Sequence, residues 1–160
     1  MQYDPIKRSL GKVFNASPLL RILFYKMLNL LLLRTWHIKK VLQAWAKDKG
    51  NAIDILDAGS GFGQYVHYLS TLNKQWNITG VDVKEEQIAD CNHFFKQLQK
   101  NNIHFEYADL TALNKTACYD LIINIDVMEH IEEDVLVMKN LYQALKPNGM
   151  LLINTPSDMG

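Results

Sequence analysis

Cysteine is scarce: the 160 residues hold two, Cys91 and Cys118, with no CxxC pair. That excludes a disulfide framework and gives no zinc-type spacing, and it makes a reducing cytoplasm the expected compartment. Long apolar runs are missing too. The longest uncharged apolar stretch near the N-terminus, Met27 to Leu33, is far below the roughly 20 residues that span a bilayer. Lys26 and Arg34 interrupt this region and no small-residue cleavage pattern closes it, so no secretory signal is expected and the protein reads as soluble or peripheral. Neither sign of charge is in excess, with 17 Lys/Arg against 17 Asp/Glu. No internal repeat, low-complexity tract or Pro/Ser-rich linker interrupts the chain. The length fits one domain, enough to bury about 70% of the unfolded surface.

The balanced charge hides an asymmetry. Residues 1–50 hold ten Lys/Arg and two Asp/Glu, whereas residues 51–160 hold seven and fifteen. A uniformly basic nucleic-acid binder is therefore excluded, and two segments with different neighbours are expected. In the first, Ser17 before Pro18 is a good helix start. From there Leu20, Phe24, Met27, Leu28, Leu31, Ile38, Leu42 and Trp45 keep to one helical face, with Arg34 and Thr35 marking a break or bend. Residues 1–50 thus read as a basic amphipathic arm packed on the domain or on a second copy. A lid over a substrate site and a contact with an anionic membrane surface stay open. Tyr3, Arg8, Lys12 and Phe14 are candidates to cover a ligand.

Residues 51–160 alternate short apolar runs with helical patterns, the mark of βαβ units and a parallel sheet. Strands are predicted at about 53–58, 78–82, 103–109, 119–126 and 149–156. Helices are predicted near 63–72, 84–100 and 132–145, the last turning Val135, Met138, Leu141 and Leu145 inward, and 110–117 reads as a loop or short helix. The strands end on Asp57, Asp82, Asp109, Asp126 and Asn154 with Thr155, at the edge where open α/β sheets bind ligands.

The first strand runs into glycines at alternate positions, Gly59, Gly61 and Gly63. Such a turn brings backbone N–H groups close to a ligand. A dinucleotide site would want its third glycine at position 64, which is Gln. Asp57 beside the glycines would also repel a pyrophosphate and suits a ligand carrying a cation.

LDAGSGFG at 56–63, GVD at 80–82, YADL at 107–110, IDVMEHI at 125–131 and LKPNGMLLI at 145–153 together resemble the class I S-adenosylmethionine-dependent methyltransferases, in particular the small-molecule branch that includes quinone-biosynthesis enzymes. The resemblance covers about 105 residues, Ile53 to Thr155. It implies a Rossmann-like open sheet in order 3-2-1-4-5 with helices on both faces, and S-adenosylmethionine as cofactor with S-adenosylhomocysteine as product. It further implies in-line methyl transfer to a small-molecule acceptor, without nucleic acid or metal. Asp57, Gly59, Ser60, Gly61 and Gly63 would hold the amino-acid end, Asp82 the ribose, Asp109 and Leu110 the adenine, and Asp126 and Val127 the methionine moiety, with Val83 a further cofactor contact. For Asp82 and Asp109 a capping role is the competing reading; for Phe62, Gln64 and Tyr65 it is packing.

His130 is the candidate general base, having a suitable unperturbed pKa, or else it orders its loop. Glu129 is read as structural or as a cofactor contact, and His37, His67, His93 and His104 show no metal-ligand spacing. The family continues past the fifth strand into a helix and an antiparallel pair of strands, whereas this chain stops at Gly160. A truncated product, a partial chain, and a sheet edge completed by a second copy are the accounts left open, and truncation is the expectation. An inactive cofactor-binding fragment is the alternative function, and an NAD-dependent oxidoreductase the remote one.

Overall fold

A single parallel sheet organises the computed structural model, which describes residues 17–31 and 33–155. Among the described residues two helices come first, α1 (Pro18–Leu31) and α2 (Leu33–Ala46), followed by β1 (Asp54–Ala58), α3 (Gln64–Leu72), β2 (Asn77–Asp82) and α4 (Glu85–Gln97). Then follow β3 (Ile103–Tyr107), β4 (Tyr119–Ile125), α5 (Asp134–Ala144) and β5 (Leu145–Asn154), with short 3-10 turns at Leu110–Ala112 and Met128–His130. The strand order is β3-β2-β1-β4-β5, parallel throughout. This is the expected Rossmann-like α/β sheet, and β1 lies at its centre, with Ile55 buried in the core on one face and Leu56 and Ala58 in the core on the other.

Alternation divides the core in two. Ile55, Ile78, Leu121 and Ile123 pack on one face with Val66, Leu69, Phe94, Phe95 and the arm residues Tyr25, Ile38 and Leu42. Leu56, Val81 and Ile122 face the other side, against Val137, Leu141 and Leu110. Helices thus cover both faces, as a parallel sheet requires. At the amino edge Lys146 Nζ donates to Asp54 Oδ2 at 2.7 Å and Asp120 Oδ2 at 2.8 Å, tying β1, β4 and β5 together. The acidic carboxyl edge opposite is left to the glycine turn.

Several sequence expectations need correction. The fifth strand begins at Leu145 rather than Gly149, so Pro147 and Asn148 lie inside it. An edge strand accommodates proline, and the register shifts opposite, between Tyr119 and Leu121. In α5 the buried side chains are Val137, Leu141 and Ala144, while Val135 and Met138 point outward. The face assigned to the arm holds in α2, where Ile38 and Leu42 are buried. In α1 it holds only in part: Phe24 packs against the core and Leu28 is half-buried, but Leu20, Met27 and Leu31 are exposed, and the fully buried residues are Arg21 and Tyr25. The reason is polar, since both side chains bind the glycine turn. Tyr3, Arg8, Lys12 and Phe14 lie outside the described residues.

Candidate functional site

β1 leaves the sheet at Asp57 and Ala58 and enters the turn at Gly59. The amides of Gly59 and Ser60 both donate to the Val81 carbonyl at 2.9 Å, and Gly63 N–H closes onto Ser60 O at 2.8 Å. Gly59 has φ of 90°, and a Cβ there would lie 2.2 Å from Cγ2 of Val127. No other residue fits that position. Gly61, with φ of 48°, faces open space, which leaves the tip of the turn accessible.

Asp82, at the end of β2, holds this tip. Its Oδ2 accepts from Gly61 N–H at 2.9 Å and its Oδ1 from Lys84 N–H at 3.0 Å. Val83 beside it is exposed. Asp57 is buried, its Oδ2 without a hydrogen-bond partner. Burial, with the Asp82 charge adding to it, pushes the Asp57 carboxyl up to about 8. Ser60 Oγ is likewise buried and unpartnered.

The β4 end lies alongside. Asp126 has a left-handed φ of 57°, and its amide donates to Asn154 O at 2.8 Å. Oδ2 of Asp126 pairs with the Arg34 guanidinium at 2.7 Å, while Oδ1 and the Arg34 Nε are buried without partners. Burial raises the Asp126 pKa even with Arg34 opposing it. Val127 packs against Gly59. His130 is exposed on its 3-10 turn, and Glu129 accepts from Thr155 Oγ1 at 3.1 Å, a structural tie to the end of β5.

The predicted residues therefore divide. Asp57, Gly59, Ser60, Gly61, Gly63, Asp82, Asp126 and Val127 converge on the turn. Asp109 is exposed and caps the Leu110–Ala112 turn, accepting from Thr111 N–H at 2.9 Å and Thr111 Oγ1 at 2.8 Å. Leu110 is buried in the second core cluster.

Three arm residues reach the site without having been candidates for it: Arg21, Tyr25 and Arg34, the last expected only to mark a break or bend. Arg21 donates to the Phe62 carbonyl at 2.8 Å and to the Tyr25 hydroxyl at 2.8 Å, and Tyr25 OH donates to the same carbonyl. Cys91 Sγ donates to Gly61 O at 3.4 Å from behind. Phe62 itself stacks edge-on against Phe24, and Gln64 donates to Asn29 Oδ1 at 3.2 Å. The available signal was an Arg and a Tyr at i and i+4 in a leucine-rich helix.

A cofactor with a cationic amino acid, a carboxylate and hydroxyl groups fits the orphaned atoms. Asp57 Oδ2 and Asp126 Oδ1 can accept, and Arg34 Nε can donate. Among the described residues no group of His, Cys, Asp and Glu could hold a metal ion, and no helix is long and apolar enough to cross a membrane.

A family model described as a methyltransferase domain matches residues 49–159. A ubiquinone biosynthesis O-methyltransferase of Rickettsia canadensis is 30% identical over 109 residues, covering 67% of this chain and 44% of the relative. A malonyl-[acyl-carrier protein] O-methyltransferase of Bacillus cereus is 33% identical over 106 residues, covering 65% and 38%. The chain thus spans less than half the length of these curated relatives. A coclaurine N-methyltransferase structure, bound to N-methylheliamine and S-adenosylhomocysteine, superposes with a TM-score of 0.65 at 20% identity, covering 73% of this chain and 34% of that one. That likeness concerns the fold.

Proposed function

We propose, since the chain belongs to the class I S-adenosylmethionine-dependent methyltransferases, that it transfers a methyl group from S-adenosylmethionine to a small-molecule acceptor. The observation that carries this reading is the set of unpartnered buried polar atoms around the open glycine turn. Asp57 and Asp126 would accept from the cofactor's ammonium group, and Arg34 would bind its carboxylate. Asp82, already ordered by Gly61 and Lys84 amides, keeps lone pairs for the ribose hydroxyls. Val83 would lie against the nucleoside, with Asp109 and Leu110 toward the adenine.

When bound, the cofactor supplies an electrophilic methyl carbon on a positively charged sulfur. The chain's own residues have a geometric task, because an in-line displacement is accelerated chiefly by alignment. The rigid turn fixes the amino-acid end, and the acidic carboxyl edge favours a cationic donor over an anionic one. His130 stands exposed next to the β4 end; an acceptor approaching there that must lose a proton would give it to His130. Relatives that methylate oxygen and nitrogen both occur among the matches, so the acceptor atom is left to experiment.

Titration calorimetry with S-adenosylmethionine and S-adenosylhomocysteine tests the first step. Micromolar binding is expected, weakened by about 1.5–3 kcal/mol in Asp82→Ala. Binding of NAD in place of either ligand would overturn the proposal, and unchanged affinity in the variant would remove the ribose assignment.

A further inference from the structure

Helix α1 is inside out. Its inward face carries Arg21 and Tyr25, both buried, whereas Leu19, Leu23 and Leu30 are 78%, 60% and 87% exposed. These three leucines recur at i, i+4 and i+11, with Met27 between them at i+8, so they form one stripe rather than scattered contacts. In α2 two further apolar side chains are exposed, Leu33 at 82% and Trp36 at 56%. Isolated exposed leucines are ordinary on protein surfaces, but a continuous apolar stripe marks an interaction face.

The charge around the stripe says which partner it suits. From Ser17 to Lys47 the sequence contains no Asp or Glu. Two cations of this stretch are turned inward, Arg21 onto the glycine turn and Arg34 onto Asp126. Lys39 is half-buried over the Tyr68 ring, Lys26, Lys40 and Lys47 remain exposed, and Lys40 Nζ lies 5.3 Å from the centre of the Trp36 ring. An apolar stripe flanked by lysines, with a tryptophan at one end, is the composition of a helix lying in a lipid interface. Pairing with a second copy fits less well, because a two-fold interface would set this acid-free surface against itself.

We infer that the outward face of the α1–α2 arm docks on an anionic lipid surface, the leucines entering the acyl boundary and the lysines meeting the headgroups. This placement is independent of the methyl-transfer reading, since it rests on the arm alone. Arg21 and Tyr25 then join the docked helix to the glycine turn on its opposite side.

The experiment is co-sedimentation of the full chain with phosphatidylglycerol/phosphatidylcholine vesicles and with phosphatidylcholine vesicles alone. Binding is expected to be at least about tenfold tighter to the anionic vesicles and to weaken with added salt. Combining Leu19→Ser with Leu23→Ser should lower vesicle binding at least about tenfold while leaving the thermal midpoint and S-adenosylhomocysteine affinity of the chain in place. No binding to either vesicle would overturn the inference. So would equal binding of the double variant, or a dimer in sedimentation velocity that the same two substitutions dissociate.

Discussion

Asp57 is a carboxylate in a place that disfavours its charge. It is buried at the end of β1, its Oδ2 has no partner, and its pKa is pushed up to about 8 by burial and then by Asp82. In the unfolded chain the same group titrates near about 3.9. Between roughly pH 4 and 8, therefore, the folded chain holds a proton that the unfolded chain has lost, and folding stability falls as pH rises through that window. Asp57→Asn removes the titration while keeping the shape. The difference in urea midpoint between variant and wild type should grow in the variant's favour from pH 4 to pH 8, then level off. A difference independent of pH would show that Asp57 is not the group responsible. A saturating cationic ligand should flatten the wild-type slope, because an ammonium beside the carboxyl favours its ionised form.

At the scale of elements, the sheet was legible because a parallel strand buried on both faces leaves a near-continuous apolar run, as in the LIINI stretch of β4, broken only by Asn124. The acidic strand ends and glycine spacing were legible for a similar reason: each needs a particular residue at a particular place. The inward face of α1 was not, because hydrophobic periodicity assumes that leucines define the core. Here a guanidinium and a phenol are buried instead, satisfied by the Phe62 carbonyl. Arg34 on Asp126 was hidden likewise, since a contact between residues 92 positions apart leaves no local pattern. Nor could spacing show that Asp109 caps its own turn. The clamp on Phe62 predicts a mutant: Tyr25→Phe keeps the ring against His67 and Phe94, with centroids 5.3 and 6.0 Å away, but loses the hydroxyl. It should destabilise the fold by about 1–3 kcal/mol, and it should weaken S-adenosylhomocysteine binding, because the Phe62 carbonyl, then held by Arg21 alone, belongs to the turn. Calorimetry and urea unfolding read the two effects separately. Lost stability with unchanged affinity would make the clamp purely structural.

Across the whole molecule, the basic arm and the acidic sheet domain share one core despite their opposite charges. Tyr25, Ile38 and Leu42 of the arm are buried in the same cluster as Ile55, Val66, Leu69 and Phe94. Trp45 of α2 meets Trp76, which precedes β2, with ring centroids 5.6 Å apart, and the Trp76 indole N–H donates to Gly50 O at 2.8 Å. A core built jointly from both segments should unfold as one unit. Leu42 is completely buried, so Leu42→Ala should cost about 2–5 kcal/mol, a large part of the roughly 5–15 kcal/mol that holds a domain. Its effect distinguishes a shared core from an arm laid on a finished domain. With Trp36, exposed on α2, replaced by Phe in both proteins, tryptophan fluorescence reports the Trp45–Trp76 junction, while far-ultraviolet circular dichroism reports all helices and strands. In a shared core both urea transitions coincide in the wild type and move together to a lower midpoint in the variant. If the arm were separable, fluorescence alone would shift and the remaining ellipticity would unfold at its original midpoint. The arm's hold on the site, through Arg21 and Tyr25 at the glycine turn and Arg34 at Asp126, would then be too loose to order it.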